Sequence, residues 1–441
     1  MISRYLGNKQ SIMTPLLEAI GAHARPGDHV VDAFSGSLSV AMGLKSSGYR
    51  VTANDINLFS SVLAEAYLVP TALPDFDASR GIVENRVESL SRVRQSAIES
   101  LHRPDYEMIL NAIDERQVAA LASFIEFLNS CDDLDLPDSY RRTDFYDAYC
   151  EAGTNSRFVS SRGRSGNRRF FKPQNARRID RILNHLRFWN REGLIRDATL
   201  AILLASTLRA VEKVANTQGT YHDFPRSNWD SRALNPLVLE MPDLRYIYAG
   251  GPLDHYAGRE QDTLEFISSV DHHSVLYLDP PYNFRQYSAY YFLLNVICRY
   301  VEMEDPSAYF GNLMFVRGQN PDDDFASSFC KASRFIEDMR TLIRRADCDT
   351  VVISYFNGKN HWSKFDSGPD STGQLLLEQL LAEPMFEQGS QRTVLVPRRN
   401  YASYVGYTAR DVSELILSAR VVQDREGDPT GAVRQPVPQM V

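Results

Sequence analysis

Residues 30–55 constrain the fold of this chain more than any other stretch. Val30-Val31 open a short apolar strand that runs into Asp32-Ala33-Phe34-Ser35-Gly36-Ser37, a turn of small residues. A helix-like stretch follows, from Leu38 to Lys45, and then Gly48. Tyr49-Arg50-Val51-Thr52-Ala53 reads as a second strand, ending at Asn54-Asp55. Strand, tight turn, helix, strand, acid is the order of a nucleotide-binding βαβ unit. In such units the acid takes a ribose hydroxyl about 20 residues after the turn. Asp55 stands 19 residues beyond Gly36. The turn is not G-x-G-x-x-G, so the ordinary dinucleotide fingerprint is absent. The expected class is α/β, with helices laid on a largely parallel sheet.

A second strand-to-turn junction carries chemistry. Ser274-Val275-Leu276-Tyr277-Leu278 reads as a buried strand and is stopped by Asp279-Pro280-Pro281-Tyr282. Neither proline can donate a ladder hydrogen bond, and Asp279, preceding one, is pushed towards an extended backbone. The result is a rigid turn offering a carboxylate, a carbonyl and an aromatic ring. Those groups suit a planar heterocycle with an amino group: the Asp279 carboxylate and the Pro280 carbonyl accept its two hydrogens, and Tyr282 stacks on the ring. A plain Pro-Pro turn after a strand is the bland alternative.

Taken in order, Arg4-Tyr5-Leu6-Gly7-Asn8-Lys9, Asp32-Ala33-Phe34-Ser35-Gly36, Asn54-Asp55 and Asp279-Pro280-Pro281-Tyr282 resemble the motifs of the alpha-ordered, Dam-like S-adenosylmethionine-dependent DNA adenine methyltransferases. The resemblance covers most of the chain, with 71–200 the least matched. It implies a Rossmann-like methyltransferase fold with a mostly helical inserted target-recognition domain, S-adenosylmethionine as cofactor, and double-stranded DNA as partner. It further implies transfer to the exocyclic amine of a flipped adenine, in a restriction-modification or phage-defence setting. A cognate restriction endonuclease or other defence-system subunit fits as a companion. Carried over residue by residue, the catalytic set is Asp279, Pro280 and Tyr282. The cofactor set is Tyr5, Lys9, Asp32, Phe34, Gly36, Asp55 and Asp279. The target-base pocket is Pro281, Tyr282 and Asp254, the last from Tyr248–Asp254, which resembles a pocket-lining motif. Val412-Ser413-Glu414-Leu415-Ile416-Leu417 resembles the family's ending. Leu38 departs from the pattern, which has a second glycine there; a leucine is expected to crowd the cofactor. Cytosine-amine methyltransferases need the same acceptors but often carry Ser at the Asp279 position. RNA or protein-glutamine methyltransferases more often carry Asn. A DNA-binding module with a degenerate cofactor site is the non-enzymatic alternative, resting on Leu38.

Net charge is −8, unusual for a DNA-binding chain, but its distribution matters more than its sum. Residues 152–179 hold no Asp or Glu. They carry Arg157, Arg162, Arg164, Arg168, Arg169, Lys172, Arg177 and Arg178, interleaved with Phe158, Phe170 and Phe171. Ser160 to Asn167 is so rich in serine and glycine that a mobile basic loop is expected, touching DNA phosphates or bases. A solvated charge run is the alternative. Five widely spaced cysteines offer no disulfide framework and no C-x-x-C metal site, and no metal is expected. No membrane span or signal peptide is read, and a reduced cytoplasm is the expected compartment.

Motif order sets the expected organisation: a catalytic domain from 1–70 and 245–422, an insertion from 71–244, and a flexible tail from 423–441. Within the insertion, helices are expected near 79–101, 106–130, 175–190 (capped at Asn175) and 197–214. The role of the polar stretch 216–235 stays open.

Overall fold

The computed structural model describes residues 5–83, 90–357, 360–362, 371–399 and 411–422. Its strands are β1 (His29–Asp32), β2 (Arg50–Ala53), β3 (Arg157–Val159), β4 (Ser165–Asn167), β5 (Tyr256–Ala257), β6 (His273–Leu278), β7 (Cys348–Phe356), β8 (Arg392–Arg399) and β9 (Asp411–Arg420). Seven form one sheet in the order β5-β2-β1-β6-β7-β9-β8. β1 pairs in parallel with β2 and β6, placing Asp32 level with Ala53 on one side and Tyr277 on the other. β9 alone is reversed, antiparallel to both β7 and β8. This is the mostly parallel sheet of a Rossmann-like α/β fold.

The central strands β1, β6 and β7 are largely apolar and buried because both faces of the sheet are covered there. Side chains alternate between two cores. Val30, Val51, Val275 and Val352 point to one, with Leu16 and Ile20 of helix Met13–Gly21 and Phe59 of helix Leu58–Leu63. Val31, Leu276, Leu278, Val351 and Ile353 point to the other, under helix Ala332–Arg345. That helix buries Phe335, Met339, Leu342 and Ile343, a one-sided spacing that fixes its orientation. The first core continues into the insertion. Helix Asp197–Val214 packs on Leu58–Leu63 and Phe292–Tyr300, and Phe124 and Leu183 join the same cluster.

Sequence and structure agree on the 197–214 helix and differ elsewhere in the insertion. The helix expected from 106 begins at Glu115, because Asp114 accepts from the Arg116 amide and starts it afresh; residues 104–112 form short 3-10 turns. The helix expected from Asn175 runs Pro173–Arg191, its first turn preset by Pro173. Asn175 is therefore no cap. Its amide donates to the Asn235 carbonyl and its Oδ1 accepts from the Leu237 amide, tying down the chain that leads back to the sheet. Of the helix expected over 79–101, Leu90–Glu99 is α-helical, Asp77–Ile82 and Ser100–His102 are short 3-10 turns, and 84–89 lie outside the described residues. Arg4 and the tail 423–441 lie outside the described residues.

The basic segment is not a mobile loop. β3 and β4 pair as an antiparallel hairpin, Phe158 opposite Gly166, with Phe158, Phe170 and Phe171 buried. The three aromatics anchor what its glycines and serines would leave loose. Asn216 braces its base: its amide donates to Phe170 O and its side chain to Arg169 O.

Candidate active site

The direction of winding reverses between β1 and β6, so the crevice at their carboxyl ends is where a ligand of an open parallel sheet belongs. Asp32 ends β1, Asp55 follows β2, and Asp279 follows β6. The crevice has two adjoining compartments. The larger, about 710 Å³ of space partly open to solvent, is lined by Tyr5, Phe34, Asp55, Asp262, Asp279, Pro280, Pro281 and Tyr282, among others. The smaller, about 260 Å³, is lined by Lys9, Asp32, Gly36 and Ser37, and shares Tyr5, Gly7, Phe34 and Asp279 with the larger.

Asp279 sits where the compartments meet. Lys9 Nζ lies 2.7 Å from its carboxylate and 2.9 Å from that of Glu414, which is fully buried in β9. Glu414 also accepts from Arg398 at 2.8 Å and from Ser354 Oγ at 3.0 Å. Burial drives the Asp279 carboxyl up to about 6, against the pull of Lys9 beside it. Burial also pushes Glu414 up, but Lys9 and Arg398 outweigh it and hold that carboxyl below its ordinary value. The two carboxylates keep the Lys9 ammonium charged despite its burial. Lys9 thus belongs to a buried charge network whose fixed member is Glu414.

Asp55 braces the turn after β1. One oxygen accepts from the Gly36 amide at 2.9 Å, the other from the Asn57 amide and side chain at 2.9 and 2.8 Å. Gly36 has φ +48°, and a Cβ there would stand 2.6 Å from the Tyr5 ring. Only glycine fits. Tyr5 stacks on Tyr291, centroids 4.7 Å apart, and so forms one wall. Phe34 meets Phe329 edge-on at 5.1 Å. Asp32 is 1% exposed, and neither carboxylate oxygen reaches hydrogen-bond geometry with a partner, although the Phe34 and Ala41 amides lie close enough to favour its charge. Burial, then Asp279 and Asp55, drive its carboxyl up to about 8. A buried acid without a partner, at the edge of a small polar compartment, fits a ligand's cationic group.

Leu38 does not crowd the crevice. It adopts the left-handed conformation, φ 68° and ψ 9°, where the second glycine would sit. Its side chain turns into the apolar core and is fully buried. The unusual residue is accommodated by backbone strain, not by loss of space in the crevice.

Asp254 is not part of the site. It is exposed and precedes β5, on the amino-terminal side of the parallel strands, whereas the crevice opens at their carboxyl ends. Asp262 and Thr263, beyond β5, line the crevice instead. An acid just past a strand is the signal that picked out Asp55, but a two-residue strand is too short to read. Glu414, Tyr287 and Tyr291 were also missed as site residues. For Glu414 the signal was a lone acid in an apolar strand.

The basic residues divide. Arg157, Arg162 and Arg164 on the hairpin are exposed, as is Arg177, whose guanidinium lies 4.7 Å from the Tyr146 ring centre. Arg168 is 2% exposed, and its guanidinium donates to the carbonyls of Val316, Asn155, Ala148 and Phe315. It is a structural residue, not a DNA contact. Arg178 reaches inward to the Cys131 carbonyl at 2.9 Å. Arg169 pairs with Glu151 at 2.8 Å, and with Lys172 it flanks the Trp229 ring. Among the described residues no three His, Cys, Asp or Glu side chains cluster to hold a metal, and no helix is long and apolar enough to cross a membrane.

Residues 5–310 match the family of D12 class N6 adenine-specific DNA methyltransferases. The chain is 26% identical over 418 residues to the type II methyltransferase M.FokI of Planomicrobium okeanokoites, covering 93% of this chain and 51% of that protein. It is 34% identical over 195 residues to the type II methyltransferase M.NlaIII of Neisseria lactamica, covering 44% and 53%. It is 26% identical over 354 residues to the modification methylase LlaI of Lactococcus lactis subsp. lactis, covering 80% and 46%. The chain thus spans about half the length of these relatives.

Proposed function

The chain belongs to the D12 class N6 adenine-specific DNA methyltransferase family, and on that premise we propose that it moves a methyl group from S-adenosylmethionine to the exocyclic amine of an adenine flipped out of double-stranded DNA at a specific sequence. The observation that carries the reading is Asp279. Its carboxylate sits at the switch point of the sheet, paired with Lys9, on the same rigid turn as the Pro280 carbonyl and the Tyr282 ring.

Methyltransferases of this kind use S-adenosylmethionine, which when bound supplies an electrophilic sulfonium methyl. The residues fit it: Asp32 offers a buried carboxyl without a hydrogen-bond partner at the edge of the smaller compartment, and Gly36, lacking a Cβ, lets the Tyr5 ring close against the turn as a wall. Asp55 and Asp262 are suited to the hydroxyl and amine groups of a nucleoside. Tyr5, Phe34 and Gly36 shape the cleft, and Asp32 with Lys9 marks its polar end.

The amine of adenine is a poor nucleophile because its lone pair is delocalised into the ring, and it lies inside the duplex. Asp279 and the Pro280 carbonyl accept its two hydrogens and favour a tetrahedral nitrogen, which aims the lone pair outward. Tyr282 stacks on the flipped base, with Pro281 behind it. The gain comes from position and preorganised charge. Asp279 must be ionised to accept, and Lys9 favours that form. Residues 1–70 and 245–422 serve as the catalytic domain, and 71–244 as target recognition. The exposed Arg157, Arg162, Arg164 and Arg177 meet phosphate. Asp279, not Ser, favours adenine over cytosine. The relatives' names, type II methyltransferases and a modification methylase, support a modification role; a cytoplasmic location, and a cognate endonuclease or other defence subunit as companion, belong to the same proposal.

Expression in a host lacking adenine methylation, followed by modified-base sequencing, tests this. N6-methyladenine at one sequence motif is expected. N4-methylcytosine would move the assignment to the cytosine amine. Unmodified DNA from a protein that still binds both ligands would leave a DNA-binding module.

A further inference from the structure

Phe284 stands two positions beyond Tyr282 and is 77% exposed, whereas Tyr282 and Tyr287 line the crevice. The turn that presents it is braced. Asn283 Oδ1 accepts from the Arg285 amide at 3.0 Å, Gln286 Oε1 accepts from the Ser327 amide at 2.9 Å, and the Cys330 thiol donates to the Arg285 carbonyl at 3.2 Å. These bonds fix the backbone on either side of Phe284, whose ring is exposed between the crevice-lining Tyr282 and Gln286. A single exposed aromatic is ordinary on a protein surface; its surroundings distinguish this one. Exposed Arg285 lies over the Tyr290 ring at 5.8 Å, and Tyr290 meets His222 at 5.3 Å. Arg226 then covers Phe224 and Phe158, the latter on the basic hairpin. Exposed Arg285, His222 and Arg226 thus lie between Phe284 and the hairpin, with Phe224 and Phe158 buried beneath Arg226.

A base that leaves the duplex for the crevice leaves a gap where its neighbours lose their stacking partner. Apolar side chains can fill such gaps in other DNA-binding proteins. We propose that Phe284 is a positioning residue that enters the duplex as the target adenine leaves it, while Arg285 holds an adjacent phosphate. This rests on the adenine-methyltransferase reading. Phe284 touches no reacting atom, so its contribution lies in the flipping equilibrium and not in the transfer chemistry.

The test uses the full chain and two duplexes bearing the motif found by modified-base sequencing, one with the target adenine paired and one with it opposite an abasic site. In the second duplex extrusion is already easy. Phe284→Ala is expected to slow methylation of the paired duplex about 5- to 160-fold, the range that loss of one base–aromatic stack covers. On the abasic duplex it should return to within about threefold of the parent. Phe284→Trp should stay near the parent on both, and 2-aminopurine at the target should show reduced flipping by Phe284→Ala on the paired duplex alone. Tyr282→Ala, acting inside the pocket, should not be rescued. Equal loss on both duplexes, or no loss on either, would overturn the wedge while the parent's activity upheld the underlying reading. A parent inactive on both duplexes would overturn that reading and the wedge with it.

Discussion

Lys9 Nζ bridges two carboxylates, 2.7 Å from Asp279 and 2.9 Å from Glu414. The pairing couples the proposed amine acceptor directly to a buried lysine and, through it, to a carboxylate in β9. It also sets the pH range in which the acceptor is charged.

Asp279 has its carboxyl raised from 3.8 to about 6 by burial, so the folded protein takes up this proton more readily than the unfolded chain. Its charged form therefore disfavours folding above about pH 6, and that penalty disappears as pH falls towards 4. For catalysis the sense is opposite: the acceptor is lost on protonation. The profile of kcat/KM against pH should show an acid limb near 6. Lys9→Gln removes the charge that favours ionised Asp279 and should move the limb upward. A limb that stays in place in that variant would separate Lys9 from the acceptor.

Asp32 should release a proton when it pairs with a cationic group, because its carboxyl is raised to about 8 in the free protein. Affinity for S-adenosylmethionine should then rise with pH up to about 8 and level off. Calorimetry in buffers of different ionisation enthalpy should detect release of up to about one proton at neutral pH, and none for Asp32→Asn. Proton release unchanged in that variant would place the linkage elsewhere.

Arg168 and the hairpin arginines should fail in different ways. Arg168→Ala leaves four buried carbonyls without their donor and should lower folding stability by ~2–4 kcal/mol in denaturant titrations. Joint replacement of Arg157, Arg162 and Arg164 by Ser should leave stability nearly unchanged. It should weaken DNA binding and flatten the log–log salt slope by about 2–3. An unaltered slope would remove the hairpin from the phosphate contacts.

Leu38 inverts the usual ranking of alanine and glycine. Both Leu38→Ala and Leu38→Gly lose the buried side chain, at ~2–5 kcal/mol. Glycine also relieves the left-handed strain, so it should be the more stable of the two by ~1 kcal/mol. Alanine proving more stable would mean that the strain at φ 68° is absent in solution.

The part of the fold around the crevice was readable because its signals are local. An apolar strand stopped by Asp279-Pro280-Pro281, and a small-residue turn 19 residues before Asp55, each place an acid at a strand's end without help from distant residues. Legibility failed where tertiary context decides. Arg168 looks like its exposed neighbours in sequence, and only the 315–318 segment folding over it makes it structural. Asp254 was placed by the resemblance of Tyr248–Asp254 to a pocket-lining motif, yet β5 sets it on the far side of the strand. Glu414 lies 405 residues from Lys9, and nothing local announces that β9 inserts between β7 and β8 to bring them together.

The central claim is that Asp279 accepts the adenine amine during methyl transfer. The direct measurement is nucleoside mass spectrometry of duplex DNA bearing the identified motif, incubated with S-adenosylmethionine and either the parent or Asp279→Ala. The account predicts N6-methyldeoxyadenosine from the parent, and a rate at least ~100-fold lower from the variant with cofactor and DNA binding largely retained. Near-parent turnover by Asp279→Ala, or methylation confined to cytosine, would contradict it.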